Sequence, residues 1–224
     1  MCCTLKTDRV LLVGTGGHCG VIVDSLRRIN PDISIGLVAK HAADSCNIHA
    51  PVVGQDEDLP QLLAQGWTHA FVSVGSIGTI RIRELLTNHL KELGFHLPII
   101  VDPTAVVSDH AILEEGTFVG AGAIIQTNAR IGTSCIINTA AVVEHDCTLE
   151  GFVHMSPGSV LCGQVHVGYG THIGARAVVK QGVSIGKNTV IGMGSVVTKE
   201  IPDGVVAYGC PCAIQHASSE RNQS

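Results

Sequence analysis

The sequence predicts an α/β domain of the Rossmann type followed by a left-handed parallel β-helix built from hexapeptide repeats. Two observations predict the β-helix, and a third predicts the domain before it. From Val101 to Val197 every sixth residue is aliphatic or Met, giving 17 positions without an insertion. At a hydrophobic fraction of 45%, chance produces such a run with odds on the order of one in a million. The column four residues later, from Ala105 through Cys135 and Cys147 to Ser195, holds only small side chains, and Ile201 breaks it. The third observation is that residues 1–100 alternate short β-branched runs, glycine-rich turns and helical stretches.

A period of six matches neither the 3.6 of a helix nor the two of a single strand. It suits short strands joined by tight corners, each flat face sending one large and one small side chain inward. Three faces close a triangular circuit of about 18 residues, and stacked circuits pair strands about 4.8 Å apart. Repeats of this kind wind left-handed, against the usual crossover preference. Residues 101–224 are assigned to this domain, with a short polar tail from Ser218 to Ser224, and residues 1–100 to the first domain.

Composition narrows the function. The chain has 224 residues, a net charge of −5 and no block of like charges, which disfavours nucleic acid and anionic membranes as partners. Aromatic residues make up 3%, too few for the stacking platforms of single-strand binders. No apolar run is long enough to span a membrane, and Met1 to Arg9 lacks a signal-peptide core, so a cytoplasmic chain is expected. Nine cysteines, an odd number without a secretion signal, read as reduced packing residues.

Within the first domain, Val10 to Val13 reads as a strand. Gly14, Gly16 and Gly17 form a turn with His18, and a helix runs from Val21 to Arg28. That arrangement aims backbone N–H groups and a helix N-terminus at a phosphate. Cys19 stands where a dinucleotide fingerprint needs its third glycine. Ala39 and Lys40, not an acid, end the second strand (Ser34 to Val38). Both features speak against NAD and leave a mononucleotide or a nucleotide-linked sugar. Further elements are a helix at Leu59 to Gln65, a strand at His69 to Val74 with a loop at Gly75 to Gly78, a helix at Ile80 to Leu93, and a fourth strand at His96 to Val101. Loops after the first and third strands share the sheet's carboxyl edge, where ligands bind.

The coil from Val143 to Val160 carries the chemistry: Glu144, His145 and Asp146, then His154. A carboxylate beside an imidazole fixes its tautomer and raises its basicity. Gly163 lies one full circuit after His145, where its backbone N–H can hold a developing oxyanion.

Gly14-Thr15-Gly16-Gly17-His18, Glu144-His145-Asp146-Cys147, Phe152-Val153-His154 and Gly209-Cys210-Pro211 together resemble the sialic-acid O-acetyltransferase family. That family includes the N-acetyltransferases of nucleotide-linked 4-amino sugars, and the resemblance spans nearly the whole chain. It implies acetyl-CoA as donor, no metal, and direct transfer with His145 as general base and Asp146 as its neighbour. It implies that His154, Gly163, Ala175 and Met193 meet the acetyl group or coenzyme A. Gly16, Gly17, His18 and Gly75 would meet the nucleotide sugar. The sequence departs from the family in having Ala39 and Lys40 where two Asp often read a uracil. Cys212 and Ala213 replace the usual Ala-Lys ending, and Met193 replaces a frequent Gly.

The first-choice acceptor is the 4-amino group of a nucleotide-linked sugar, and the alternative is O-acetylation of sialic acid. Remote alternatives are a zinc enzyme using His145, His166 and His172 of neighbouring subunits, and a non-catalytic nucleotide-sugar binder. A homotrimer is expected, burying outward aliphatics such as Ile124, Ile136 and Val142 between subunits. His145 and His154 stand half a circuit apart. That spacing leaves them roughly 15 Å apart on one subunit, so a shared reaction needs His145 of one subunit to face His154 of the next.

Overall fold

The computed structural model describes residues 7–39 and 48–217. Lys40 and the Ser218–Ser224 tail lie outside the described residues.

The α/β domain comprises β1 (Arg9–Val13), α1 (Gly17–Ile29), β2 (Ser34–Val38), β3 (Val52–Gly54), α2 (Leu59–Ala64), β4 (Ala70–Val72) and α3 (Arg81–Leu93). The four strands form a parallel sheet in the order β3-β2-β1-β4. Its strands are apolar runs because both sides are covered: β1 and β2 each follow one exposed residue with four buried ones. The loops after β1 and β4 are neighbours, as the sequence predicts. Ser73 Oγ donates to the Val13 and Gly14 carbonyls (3.0 and 2.6 Å). Gly14 is required there: its φ is +107°, and a Cβ would sit 2.5 Å from Val74 Cγ2.

Two expectations for this domain are corrected. The fourth strand of the sheet is β3, too short at three residues to announce itself. His96–Val101 does not join the sheet: His96 makes only an isolated bridge to His69, Pro98 has no N–H to give a ladder, and Ile100 and Val101 belong to the first coil. Helix α1 also begins at Gly17, a turn earlier than expected, so Gly17 and His18 form its first turn.

Seventeen two-residue strands follow, from β5 (Ile100–Val101) to β21 (Val196–Val197), one per predicted hexad. They stack in three parallel sheets, each strand pairing with the one a full circuit on, as in Arg130↔Thr148. The first face starts with β5, the second with β6 (Val106–Val107) and the third with β7 (Ile112–Leu113). This is the left-handed β-helix expected of the repeats. The large column from Val119 to Val197 is fully buried, and so are the small residues from Ala123 to Ser195 except Val183 at 6%. Cys135 and Cys147 lie inward and unexposed, as their register requires. Corners turn at the fourth hexad position, where φ is positive: glycine, Asn128, Asp146 and Asn188, the types that tolerate it best, are found there together with Ser134, Ala140, Phe152, Gln164 and Arg176, which the stacked coils hold in the same conformation. The sequence reading missed a terminal hairpin: β22 (Val205–Tyr208) continues the first face and pairs antiparallel with β23 (Ala213–Ala217). No described helix is long and apolar enough to cross a membrane.

The first face is covered by the chain's own α/β domain. Ile100, Phe118 and Ile136 share a core with Ile22, Leu26 and Phe71. Ile136 is therefore buried inside one subunit, which corrects its assignment to a contact between subunits. A polar seam accompanies this core. Buried Asp102 accepts hydrogen bonds from Ser25 Oγ (2.7 Å), from Thr104 (N 3.0 and Oγ1 2.7 Å) and from Arg28 (Nη2 2.7 Å).

Burial alone would raise the carboxyl pKa of Asp102, but the Ser25, Thr104 and Arg28 bonds together hold it at about 2, below the ordinary 3.8. A depressed folded value means the stabilisation is complete above pH 4 and is lost as pH falls through about 2. Asp102→Ala should cost about 2–3 kcal/mol at pH 7, read from denaturant midpoints. The difference from wild type should shrink as pH is lowered toward 2.

Candidate active site

Local corner geometry builds the first half of the site. After β12 (Val142–Val143) the chain turns from the second to the third face through Glu144, His145 and Asp146. Asp146 takes the fourth, positive-φ position (59°), which folds its carboxylate back onto its neighbour. His145 Nδ1 and Asp146 Oδ2 are 2.7 Å apart, and Asn128 Nδ2 donates to the other oxygen at 3.1 Å. The His145 bond, then the Asn128 bond, hold the Asp146 carboxyl below its ordinary range. Nδ1 therefore carries the proton, and Nε2 is left with a lone pair.

Gly163 follows β15 (Val160–Leu161) at the same corner, one circuit on. The His145 ring lies across it: a Cβ at Gly163 would sit 2.5 Å from both Cε1 and Nε2. At the corner between the third and first faces, carboxylates cap the N–H of the third hexad position, as Glu114 does for Thr133, Glu150 for Tyr169 and Asp203 for Lys187. The corner of Gly163 has no such caps among the described residues, its neighbours Thr127, His145 and Gln181 included. Among the described residues none accepts a hydrogen bond from the Gly163 N–H. A lone-pair nitrogen and an unpartnered N–H thus sit side by side, with Gly163 buried beneath a His145 ring whose side chain is 45% exposed.

The second half lies on the first face, against the α/β loops. His154 opens β14 (His154–Met155), and its Nδ1 donates to the Ser76 carbonyl (2.9 Å) in the loop after β4. Its Nε2 lies 3.4 Å from Asn138 Nδ2. The ring stands edge-on to His172, with centroids 4.9 Å apart. His18 packs edge-on against Phe118 beside Gly75, and its buried Nε2 has no partner among the described residues. Burial, with His154 and Arg83 adding to it, lowers His18 to about 3. Burial likewise lowers His154 to about 4, with Arg83 adding to it and the Ser76 bond opposing it. Both rings are neutral at pH 7. Arg83 is 3% exposed. It donates to the Ser134 and Phe152 carbonyls and Ser76 Oγ, clamping this loop to the β-helix.

One chain does not bring all the predicted site residues together. Gly16, Gly17, His18, Gly75 and His154 form one group, and His145, Asp146 and Gly163 another. Ala175 and Met193 stack one circuit apart at the corner between the first and second faces, with Met193 80% exposed. The second face separates them from His145. His166 lies on the third face near Glu150 (3.4 Å). His172 is buried beside Ser156 on the first face. Among the described residues no three His, Cys, Asp or Glu side chains are placed to hold a metal ion. A cavity of about 420 Å³ on the third face, beside Lys187 and Asp203, is lined by His166 of the zinc alternative but touches none of the residues expected to serve acetyl transfer. Sequence reasoning missed Asn128, Asn138 and the Arg83 clamp. Asn128 alone left a signal, standing one circuit before Asp146 in the same corner column.

Among solved structures, PerB of Caulobacter crescentus, in complex with CoA and GDP-perosamine, superposes with a TM-score of 0.85. It is 40% identical over 94% of this chain and 99% of its own. The chain belongs to the hexapeptide-repeat nucleotide-sugar N-acetyltransferase family. The acetyltransferase domain of PglB from Neisseria gonorrhoeae, in complex with acetyl coenzyme A, is 32% identical (93% and 100% covered, TM-score 0.85). WeeI from Acinetobacter baumannii is 25% identical (92% and 99%, TM-score 0.80). Residues 9–90 match the model for the PglD N-terminal domain. Residues 164–199 match that for the hexapeptide repeat of succinyl-transferase. No curated protein matches the chain.

The stacking of His145 on Gly163 makes a test. A methyl at residue 163 displaces a half-exposed ring, which is cheap for stability but moves the nitrogen that faces the unpartnered N–H. Gly163→Ala should keep the melting temperature within a few degrees and lower acetyl-transfer kcat at least tenfold, roughly the effect of removing a positioned base or oxyanion donor.

Proposed function

We propose that this chain transfers the acetyl group of acetyl-CoA to the 4-amino group of a nucleotide-linked amino sugar, by direct attack. One observation carries the mechanism: the His145–Asp146 pair presents a lone-pair Nε2 beside the unpartnered N–H of Gly163. The acceptor nitrogen forms a bond to the thioester carbonyl carbon while Nε2 takes its proton. The Gly163 N–H stabilises the oxyanion of the tetrahedral intermediate. Its collapse breaks the C–S bond, the electron pair leaves on coenzyme A sulfur, and the imidazolium returns the proton to that thiolate. No acyl-enzyme is needed. Cys147 points inward, where burial raises its thiol to about 11.

The glycine turn at the N-terminus of α1, with Gly16, Gly17 and Gly75, supports a nucleotide sugar at the sheet's carboxyl edge. The orphaned Nε2 of His18 suits a polar group of that ligand. His154, Ala175 and Met193 are assigned to coenzyme A. Both substrates are charged, soluble metabolites, which assigns the reaction to the cytoplasm.

A homotrimer completes the site in this reading. The second face presents only β-branched aliphatics outward: Val106, Ile124, Val142, Val160, Val178 and Val196. None is fully buried, and Val106 is 63% exposed. The third face begins with Ile112 and then carries Arg130, Thr148, His166 and Ser184. Packing three prisms by their second faces sets the His145 corner of one subunit near the Ala175 corner and His154 of the next.

Purified protein with acetyl-CoA should release coenzyme A thiol with a GDP- or UDP-linked 4-amino sugar. No release across that panel, or release only with sialic acids, would contradict the assignment. His145→Ala should lose 10²- to 10⁴-fold in turnover, and His154→Ala should mainly raise the KM for acetyl-CoA. Co-refolding the two mutants should restore part of the activity, since some interfaces then keep both histidines. A mixture as inactive as its parts, with refolded wild type active, would remove the shared site. Light scattering of a monomer at micromolar concentration would do the same.

A further inference from the structure

We infer that Asn128 is a positioning residue for catalysis, holding the Asp146 carboxylate in the rotamer that orients His145. The inference rests on the acetyl-transfer reading above. Asn128 and Asp146 occupy the fourth hexad position of successive coils, with φ of 60° and 59°. The backbone ties them together, since Asp146 N donates to the Thr127 carbonyl at 3.1 Å. That bond fixes the Asp146 Cα but leaves its side chain free to turn. The Asp146 side chain is 43% exposed, so water competes for both oxygens. Two hydrogen bonds decide its orientation: Oδ2 accepts from His145 Nδ1 and Oδ1 accepts from Asn128 Nδ2.

Chemistry explains why an asparagine stands there. Residue 128 must adopt a left-handed corner, which asparagine does more readily than most residues. It must also donate to an ionised carboxylate, and its NH₂ is the short neutral donor that does so. Aspartate would satisfy the corner but set a second negative charge against the first. Glycine would satisfy the corner and donate nothing. The Asn128 bond is also one of the causes holding the Asp146 carboxyl in its ionised form. Lost, it frees the carboxylate to rotate toward solvent, and the His145 ring loses the partner that keeps Nε2 over Gly163.

The test is a double-mutant cycle on the full chain, with kcat and both KM values measured for wild type, Asn128→Gly, Asn128→Asp, Asp146→Ala and the Asn128→Gly/Asp146→Ala pair. Asn128→Gly should lower kcat roughly 10- to 30-fold, the low end of what one lost hydrogen bond to a charged group costs, since water competes at this half-exposed carboxylate. Both KM values should stay within about twofold of wild type, because the bond acts on orientation and not on substrate binding. Asn128→Asp should fall further than Asn128→Gly. In the Asp146→Ala background, Asn128→Gly should change kcat by less than about twofold, since its partner is already gone. A merely structural role would multiply the two losses. Multiplied losses, or an Asn128→Gly enzyme as fast as an active wild type, overturn this inference alone. A wild type that transfers no acetyl group overturns the underlying reading and this inference with it.

Discussion

The pairing of one large and one small inward side chain on each face fixes the length of the circuit, and every feature of the site inherits that spacing. Each column then stacks on itself from circuit to circuit, Val143 over Leu161 and Cys147 over Val165, with every member fully or almost fully buried. A one-residue slip would send a buried aliphatic outward and draw a corner residue into a closed interior. At about 25 cal/mol per Å² of apolar surface, each such swap costs on the order of 2 kcal/mol. The core therefore holds the corners in register, and residues one circuit apart become vertical neighbours. His145 lies on Gly163, Asn128 beside Asp146, and Ala175 next to the Met193 corner because the interior allows no other alignment. The chemistry is written on the corners, and the aliphatic columns set where it stands.

The α/β domain depends on the same scaffold. Its core continues through Ile100, Phe118 and Ile136 onto the first face, and the Asp102 and Arg83 networks lock both ends of that contact. The histidines record the difference between the two environments. His18 and His154, enclosed between domains, are pushed far below neutrality and serve as uncharged polar groups. His145 stays at the surface with a carboxylate at its back, which suits a group that must take up a proton. The two environments follow from placing two histidines at a covered face and the third on an uncovered corner.

What could be read in the sequence divides along contact range. The hexads were legible because each repeats a local rule 17 times. The His145–Asp146 pair was legible because its members are adjacent in the chain, and Gly163 because it is one period away. The Gly14 turn and the shared edge of its loop with Gly75 were legible from strand–turn–helix order. The His154–Ser76 bond spans 78 residues and the Arg83–Ser134 bond 51, and no periodicity connects them. The burial of Ile136 was hidden for the same reason, since it depends on which face the α/β domain covers. Strand β3 escaped notice because three residues carry too little alternation, and His96–Val101 misled because the coil and the sheet compete for Ile100.

The central claim is that the His145 corner receives the acceptor nitrogen while Gly163 receives the acyl oxygen. A structure of the protein with coenzyme A and an unreacted nucleotide amino sugar tests it most directly. The account requires the sugar nitrogen within about 3.2 Å of His145 Nε2, or one water away, and the thiol end of coenzyme A beside the Gly163 N–H. A sugar nitrogen beyond that reach, or a thiol seated in the third-face cavity beside Lys187 and Asp203, would contradict it.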